Sequence, residues 1–82
     1  MKAKIYVSLK EGILDPQGKA IEQALSVLGF NDVGGVRVGK YLELNLKSGS
    51  ADAAEGKVKE MCEKLLANTV IETYRYELES EG

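Results

Sequence analysis

The sequence predicts an α+β domain of order β-α-β-β-α-β. Three observations carry that prediction: period-two alternation near both ends and in the middle, two apolar stripes at helical spacing, and glycine, serine and asparagine breaks between them. The order is that of the split βαβ, or ferredoxin-like, fold, a four-stranded antiparallel sheet with two helices on one face. All 82 residues fit a single domain, residues 1–82, and one this small buries only ~60–65% of the surface of its unfolded chain. A thin core of this kind is often completed by oligomerisation.

From Lys2 to Lys10, Ala3, Ile5, Val7 and Leu9 alternate with Lys4, Tyr6 and Ser8, the pattern of a strand with one buried face. Asp15 can cap helical N–H groups, and Pro16 has its φ preset for a first helical position. Ala20, Ile21, Ala24, Leu25 and Leu28 then give a helix from about Pro16 to Leu28. Gly29 suits the left-handed residue that closes a helix, with Phe30 placed to pack back on its last turn.

Val33, Val36 and Val38 suggest a short second strand broken by Gly34 and Gly35, and Leu42, Leu44 and Leu46 a clearer third one. A tight turn near Gly39 and Lys40 would join them as a hairpin; the alternative is one long bent strand. After the break Ser48-Gly49-Ser50, Ser50 can cap a helix from about Ala51 to Ala67, striped by Ala54, Val58, Met61, Cys62, Leu65 and Leu66. Asn68 is the expected terminator, and Thr69 to Leu78, with Val70, Ile71, Thr73, Tyr74 and Tyr76, is the fourth strand. Glu79 to Gly82 are expected to fray. The sheet face away from the helices should present Tyr6, Ser8, Arg37, Tyr41, Glu43, Asn45, Thr73 and Arg75, a set too mixed for a core.

Composition excludes several classes of function. Eleven basic against thirteen acidic residues, net charge −2, disfavour nucleic acid and anionic membranes as partners. With no histidine and one cysteine, the chain can build neither a cysteine-histidine dyad nor an ordinary zinc site, nor an internal disulfide. Cys62 falls on an apolar helical stripe, where a free thiol packs as a small hydrophobe. The amino terminus alternates charged and apolar residues, so the chain reads as cytoplasmic, with no signal peptide or membrane span. The carboxylates are scattered and assign no acid/base pair, and Gly34, Gly35 and Gly39 do not open a helix as phosphate-wrapping glycines do. The expectation is therefore no catalytic, cofactor or metal residue in this chain.

Two boxes stand out, Leu14-Asp15-Pro16-Gln17-Gly18 and Val36-Arg37-Val38-Gly39-Lys40. The first is largely explained as a helix start, but Gly18 in the first turn costs ~1 kcal/mol relative to alanine. That cost points to close approach by another backbone, of this chain or of a partner. Arg37 and Lys40 are centrally placed cations suited to solvation, anion binding or an ion pair across an interface. Tyr6 and Tyr41 on neighbouring strands have the placement of a stacking pair in an RNA-recognition sheet, yet the acidic balance favours a protein interface.

The boxes Val7-Ser8-Leu9-Lys10, Leu14 to Gly18, Val36 to Lys40, Met61 to Asn68, and Val70-Ile71-Glu72 before Tyr74-Arg75-Tyr76-Glu77 together resemble the PurS family of phosphoribosylformylglycinamidine synthase subunits. One departure is Thr69, where many members have proline. The resemblance implies a small non-catalytic subunit of a ligase in de novo purine biosynthesis. It would dimerise, or form a higher homo-oligomer, and join the synthetase PurL to the glutaminase PurQ. The complex converts formylglycinamide ribonucleotide, glutamine and ATP to formylglycinamidine ribonucleotide, with ATP and magnesium used by the synthetase and none bound here. Asp15, Pro16, Gly18, Arg37, Gly39, Lys40, Tyr6, Tyr41 and Asn68 are the interface candidates. The rival reading is a ferredoxin-like regulatory domain that binds a small ligand at a subunit interface, for which Gly12 and Gly18 offer a faint signal.

Overall fold

Strand β1 (Lys2–Leu9) is the centre of a three-stranded antiparallel sheet of order β2-β1-β3, with β2 at Gly39–Asn45 and β3 at Glu72–Glu79. The computed structural model describes residues 1–47 and 49–80; Ser48 of the expected break and Glu81 and Gly82 of the expected tail lie outside the described residues. Ile5 faces Leu42 on one side and Tyr76 on the other, and Tyr6 faces Tyr41 and Arg75. Period two then sends Ala3, Ile5 and Val7 inward, where they are buried against Val58, Cys62 and Ala67. Leu42, Leu44, Leu46, Leu66, Tyr74, Tyr76 and Leu78 pack around this cluster.

Helix α1 (Pro16–Val27) starts as its sequence dictates: Asp15 is the N-cap and its carboxylate accepts from Gly18 N–H at 2.8 Å. It ends in a Schellman motif. Gly29, at φ +98°, donates its N–H to Ser26 O, and Phe30 donates its N–H to Leu25 O at 2.9 Å. Helix α2 (Ala51–Met61) is capped by Ser50 Oγ, which accepts from Ala53 N–H.

The expected helix from Ala51 to Ala67 changes character after Met61. Cys62–Leu66 is a π-helical turn closed by Ala67 N–H donating to Cys62 O at 3.0 Å. The wider turn absorbs one extra residue. Cys62 and Ala67 stay buried while Leu65, expected on the apolar stripe, is 81% exposed.

Two expectations about the sheet are corrected. The short second strand at Val33 to Val38 does not form, so among the described residues the sheet has three strands and not four, and Arg37 lies outside it. Carboxylates have taken the donors a ladder would need: Gly35 N–H donates to Glu22 and Val38 N–H to Asp15, each at 2.7–2.8 Å. Gly35, at φ +67°, also leaves the extended region. The observed order keeps three strands of the split βαβ and leaves the position outside β2 empty.

The second correction concerns the helices. α2 and the π turn that follows it cover the sheet; among the described residues none of α1 belongs to the core cluster. α1 and the returning segment 28–38 form an arm beyond one end of the sheet, and the molecule measures 50 × 29 × 14 Å. The fourth strand also starts later than expected, at Glu72, and Glu79, expected to fray, is paired with Lys2 within β3.

Candidate functional site

Seven of the nine candidate residues meet at the end of the sheet where the arm departs. Asp15 is the pivot, 6% exposed, and its two carboxylate oxygens are divided between two segments. Oδ1 accepts from Gly18 N–H and Oδ2 from Val38 N–H, each at 2.8 Å. These two donors, Val38 foremost, hold its carboxyl below the usual carboxylate range. Pro16 stands at the first helical position with no N–H to place. The close approach implied by Gly18 lies within this chain: a Cβ there would collide with the carbonyl oxygen of Val36.

The same compactness explains Gly39, where a Cβ would stand 2.6 Å from the carbonyl oxygen of Val7 on the paired strand. Arg37 donates through Nη1 to Ile13 O at 2.9 Å and through Nη2 to Lys10 O at 3.1 Å. Its guanidinium fork thus ties the segment after β1 to the segment before β2. Lys40 donates to Leu66 O at 3.4 Å and lies 4.0 Å from Glu72, with its side chain 57% exposed. Glu72 also accepts from Asn68 N–H at 2.6 Å, while Asn68 Oδ1 accepts from Val70 N–H. Asn68 is therefore the organiser of the turn into β3. A hollow of about 320 Å³ lined by Leu9, Asp15, Gln17, Val38, Gly39, Lys40 and Glu72 opens at this junction.

Tyr6 and Tyr41 lie apart from the junction, on the open face of the sheet. Their ring centroids are 5.0 Å apart and tilted by 39°, and the Arg75 guanidinium carbon lies 3.8 Å from the Tyr6 centroid. Around them Lys2 pairs with Glu43, Lys4 with Glu79 and Arg75 with Glu77. Tyr41 donates to Glu43 at 2.8 Å; that bond and partial desolvation push its phenol up to about 12.

Sequence reasoning missed Glu72, which joins Lys40 to Asn68, and Glu22, which anchors Gly35. Only the spacing of Asn68 and Glu72, one side-chain reach around a turn, gave a readable signal for the first, and nothing local marked the second. Cys62 is fully buried, and desolvation pushes its thiol up, away from nucleophilic use. Among the described residues no His, Cys, Asp and Glu group is arranged to hold a metal ion. The arrangement offers recognition and scaffolding groups, a hydrogen-bonded junction and a polar aromatic face.

Comparison with known proteins gives this geometry a context. The profile of the PurS family, described as phosphoribosylformylglycinamidine (FGAM) synthase, matches residues 2–80. The phosphoribosylformylglycinamidine synthase subunit PurS of Bacillus subtilis strain 168 is 59% identical over 78 residues, 95% of this chain and 92% of that one. A solved C2 crystal form of the B. subtilis PurS superposes with a TM-score of 0.88 at 58% identity, covering 96% of this chain and 98% of that one. A chain in the structure of PurLQS from Thermotoga maritima superposes with a TM-score of 0.85 at 33% identity, covering 93% of each.

Proposed function

This chain belongs to the PurS family, and we propose from that membership that it bridges PurL and PurQ within the phosphoribosylformylglycinamidine synthase complex. PurS is a subunit of this ligase, which serves purine biosynthesis. The observation that supports the bridging reading is the match over nearly the whole chain to a component of PurLQS. A chain without a nucleophile-base pair contributes by positioning: it aligns the glutaminase and synthetase sites so that ammonia is handed over before it escapes.

In this reading the chain acts in the cytoplasm as a homodimer or higher homo-oligomer, without nucleic acid or membrane partners. It binds no cofactor of its own, and ATP and magnesium are used by the synthetase. No helix among the described residues is long and apolar enough to cross a membrane. The hydrogen bonds of Asp15, Glu22 and Arg37 set the angle between sheet and arm. Lys40 at its rim and the Tyr6–Tyr41–Arg75 face are the docking elements, with Arg37 fixing the loop beside them.

Reconstitution tests the reading. PurL and PurQ homologues of the source organism are assayed for product from glutamine and, separately, from excess ammonium. The expected result is that omission of this chain abolishes the glutamine-dependent reaction. Equal glutamine-dependent rates with and without it would refute the bridge.

A further inference from the structure

β3 is an edge strand, and among the described residues no strand lies along its outer side. Its backbone directions follow from the ladder: Lys10 N–H donates to Ile71 O at 2.9 Å, one step beyond the pairing of Leu9 with Glu72. Directions alternate along a strand, so Thr73, Arg75, Glu77 and Glu79 turn their N–H and C=O groups toward β1, and Glu72, Tyr74, Tyr76 and Leu78 turn theirs outward. Glu72 gives its N–H to Asn68 O at 2.7 Å. The outward groups of Tyr74, Tyr76 and Leu78 form a row that a further strand can pair.

Native edges are blunted by shortness, proline, bulges or charges that point inward. β3 has none of these devices. It runs for 8 residues without proline and pairs with β1 without a bulge. Its charges Arg75, Glu77 and Glu79 share the open face with Tyr6. On the other face Tyr74, Tyr76 and Leu78 pack in part against the core. The two phenols are held by Glu63 and Glu55 at 2.7 and 3.0 Å, which fixes the rings beside the edge.

The side chains select an occupant. Two copies of β3 related by a two-fold axis pair only where outward residues meet outward residues, which puts the axis on a single residue. An axis at Arg75 sets Arg75 against itself, and one at Glu77 sets Glu77 against itself, like charges directly opposite. An axis at Tyr74 leaves Arg75 facing Thr73, with Leu78 and Glu79 beyond the end of the other strand. An axis at Tyr76 has neither fault: Arg75 of each copy faces Glu77 of the other, Thr73 faces Glu79, Tyr74 faces Leu78, and the two Tyr76 rings meet.

We propose that β3 is a self-complementary edge at which a second copy adds its own β3, antiparallel about an axis at Tyr76. The two three-stranded sheets then become one, with both α2 helices on the same side of it. This rests on the homo-oligomer reading above and adds an edge contact to it; the Tyr6–Tyr41 pair stays uncovered.

The test uses the full chain. In Thr73→Cys/Glu79→Cys the two positions lie ~20 Å apart within one strand, too far for an internal disulfide, but ~4.5 Å apart across the paired edges, within disulfide reach. Mild oxidation should therefore give a covalent dimer whose peptide map joins 73 to 79, while Thr73→Cys/Glu77→Cys, which fits the rejected axis at Arg75, should not cross-link. In parallel, Arg75→Glu and Glu77→Arg should each weaken the edge contact by at least about tenfold in light scattering, with far-UV circular dichroism unchanged, and an equal mixture of the two should restore it. A parent chain that is monomeric at tens of micromolar overturns both this proposal and the homo-oligomer reading. A parent oligomer that gives no 73–79 disulfide, that cross-links in the 73–77 variant instead, or that both charge variants leave intact overturns this proposal alone.

Discussion

Asp15 accepts the backbone N–H of Val38 at 2.8 Å while capping α1 through its other oxygen, so one buried carboxylate fixes both the start of a helix and the approach to a strand. Two N–H donors, one on each oxygen, favour the ionised form over the protonated one.

Loss of that charge should loosen the arm. The carboxyl of Asp15 is held below its ordinary value, so its contribution is fully present above the unfolded-state value. It is lost as pH falls through the lower folded-state one. Wild-type stability in urea should therefore decline below about pH 4. Asp15→Asn should be less stable at neutral pH and show a shallower acid decline. Equal acid slopes for the two proteins would contradict this role.

Two glycines should respond in opposite directions to the same added methyl. At Gly18 the methyl meets the Val36 carbonyl, and Gly18→Ala should destabilise by roughly 1–3 kcal/mol. At Gly56, inside α2 with nothing within 4 Å, Gly56→Ala should stabilise by about 0.5–1 kcal/mol. Urea midpoints of the two variants measure both signs.

Tyrosine ionisation should report on both faces of the sheet, Tyr41 on the open one and Tyr74 on the helix-covered one. Tyr41 and Tyr74 are both pushed up to about 12, first of all by hydrogen bonds to Glu43 and Glu63 respectively. A phenol whose folded-state value is raised contributes stability that is intact below its unfolded-state value and lost as pH rises through the folded one. Alkaline unfolding should set in between about pH 10 and 12. Ultraviolet titration of Glu43→Gln should show one tyrosine ionising earlier than in the parent chain.

The buried thiol should report on opening. Cys62 is fully buried and its thiol is shifted up by desolvation, so a thiol reagent should label it only as fast as the core opens. Val58→Ala, which empties a neighbouring core position at a cost of roughly 2–3 kcal/mol, should speed labelling in proportion to the lost stability. Rapid labelling of the parent chain would contradict this placement.

Local chemistry was legible in the sequence and distant chemistry was not. The capping role of Asp15, Pro16 at the first helical position, the Gly29 stop and the Ser50 cap all act within a turn of their own residue, and each stands where it was expected. Alternation around Ile5 gave the central strand and its buried face. Gly18 was legible as an anomaly, and Val36 resolves it. The second strand failed because its backbone donors are claimed by carboxylates 13 and 23 residues away, a competition that no window of propensity contains. The standing-off of α1 failed for a related reason. An apolar helical stripe says that a helix needs a surface, and leaves open whose surface that is. Leu65 was misplaced because one π turn shifts the phase of everything after it.

The pairing of β1 has a consequence for how the chain is made. Of the three described strands the first in sequence is the central one, and both of its neighbours come later: Lys2 pairs with Asn45 on one side and with Glu79 on the other. Among the described residues no strand pair is a local hairpin, so this sheet can nucleate only after long loops close, and the folding rate should be slow for so short a chain. Until β3 has been translated, β1 offers an unpaired apolar edge to other nascent chains. Truncation within Glu72–Glu79 should accordingly yield aggregates, not a shortened soluble domain.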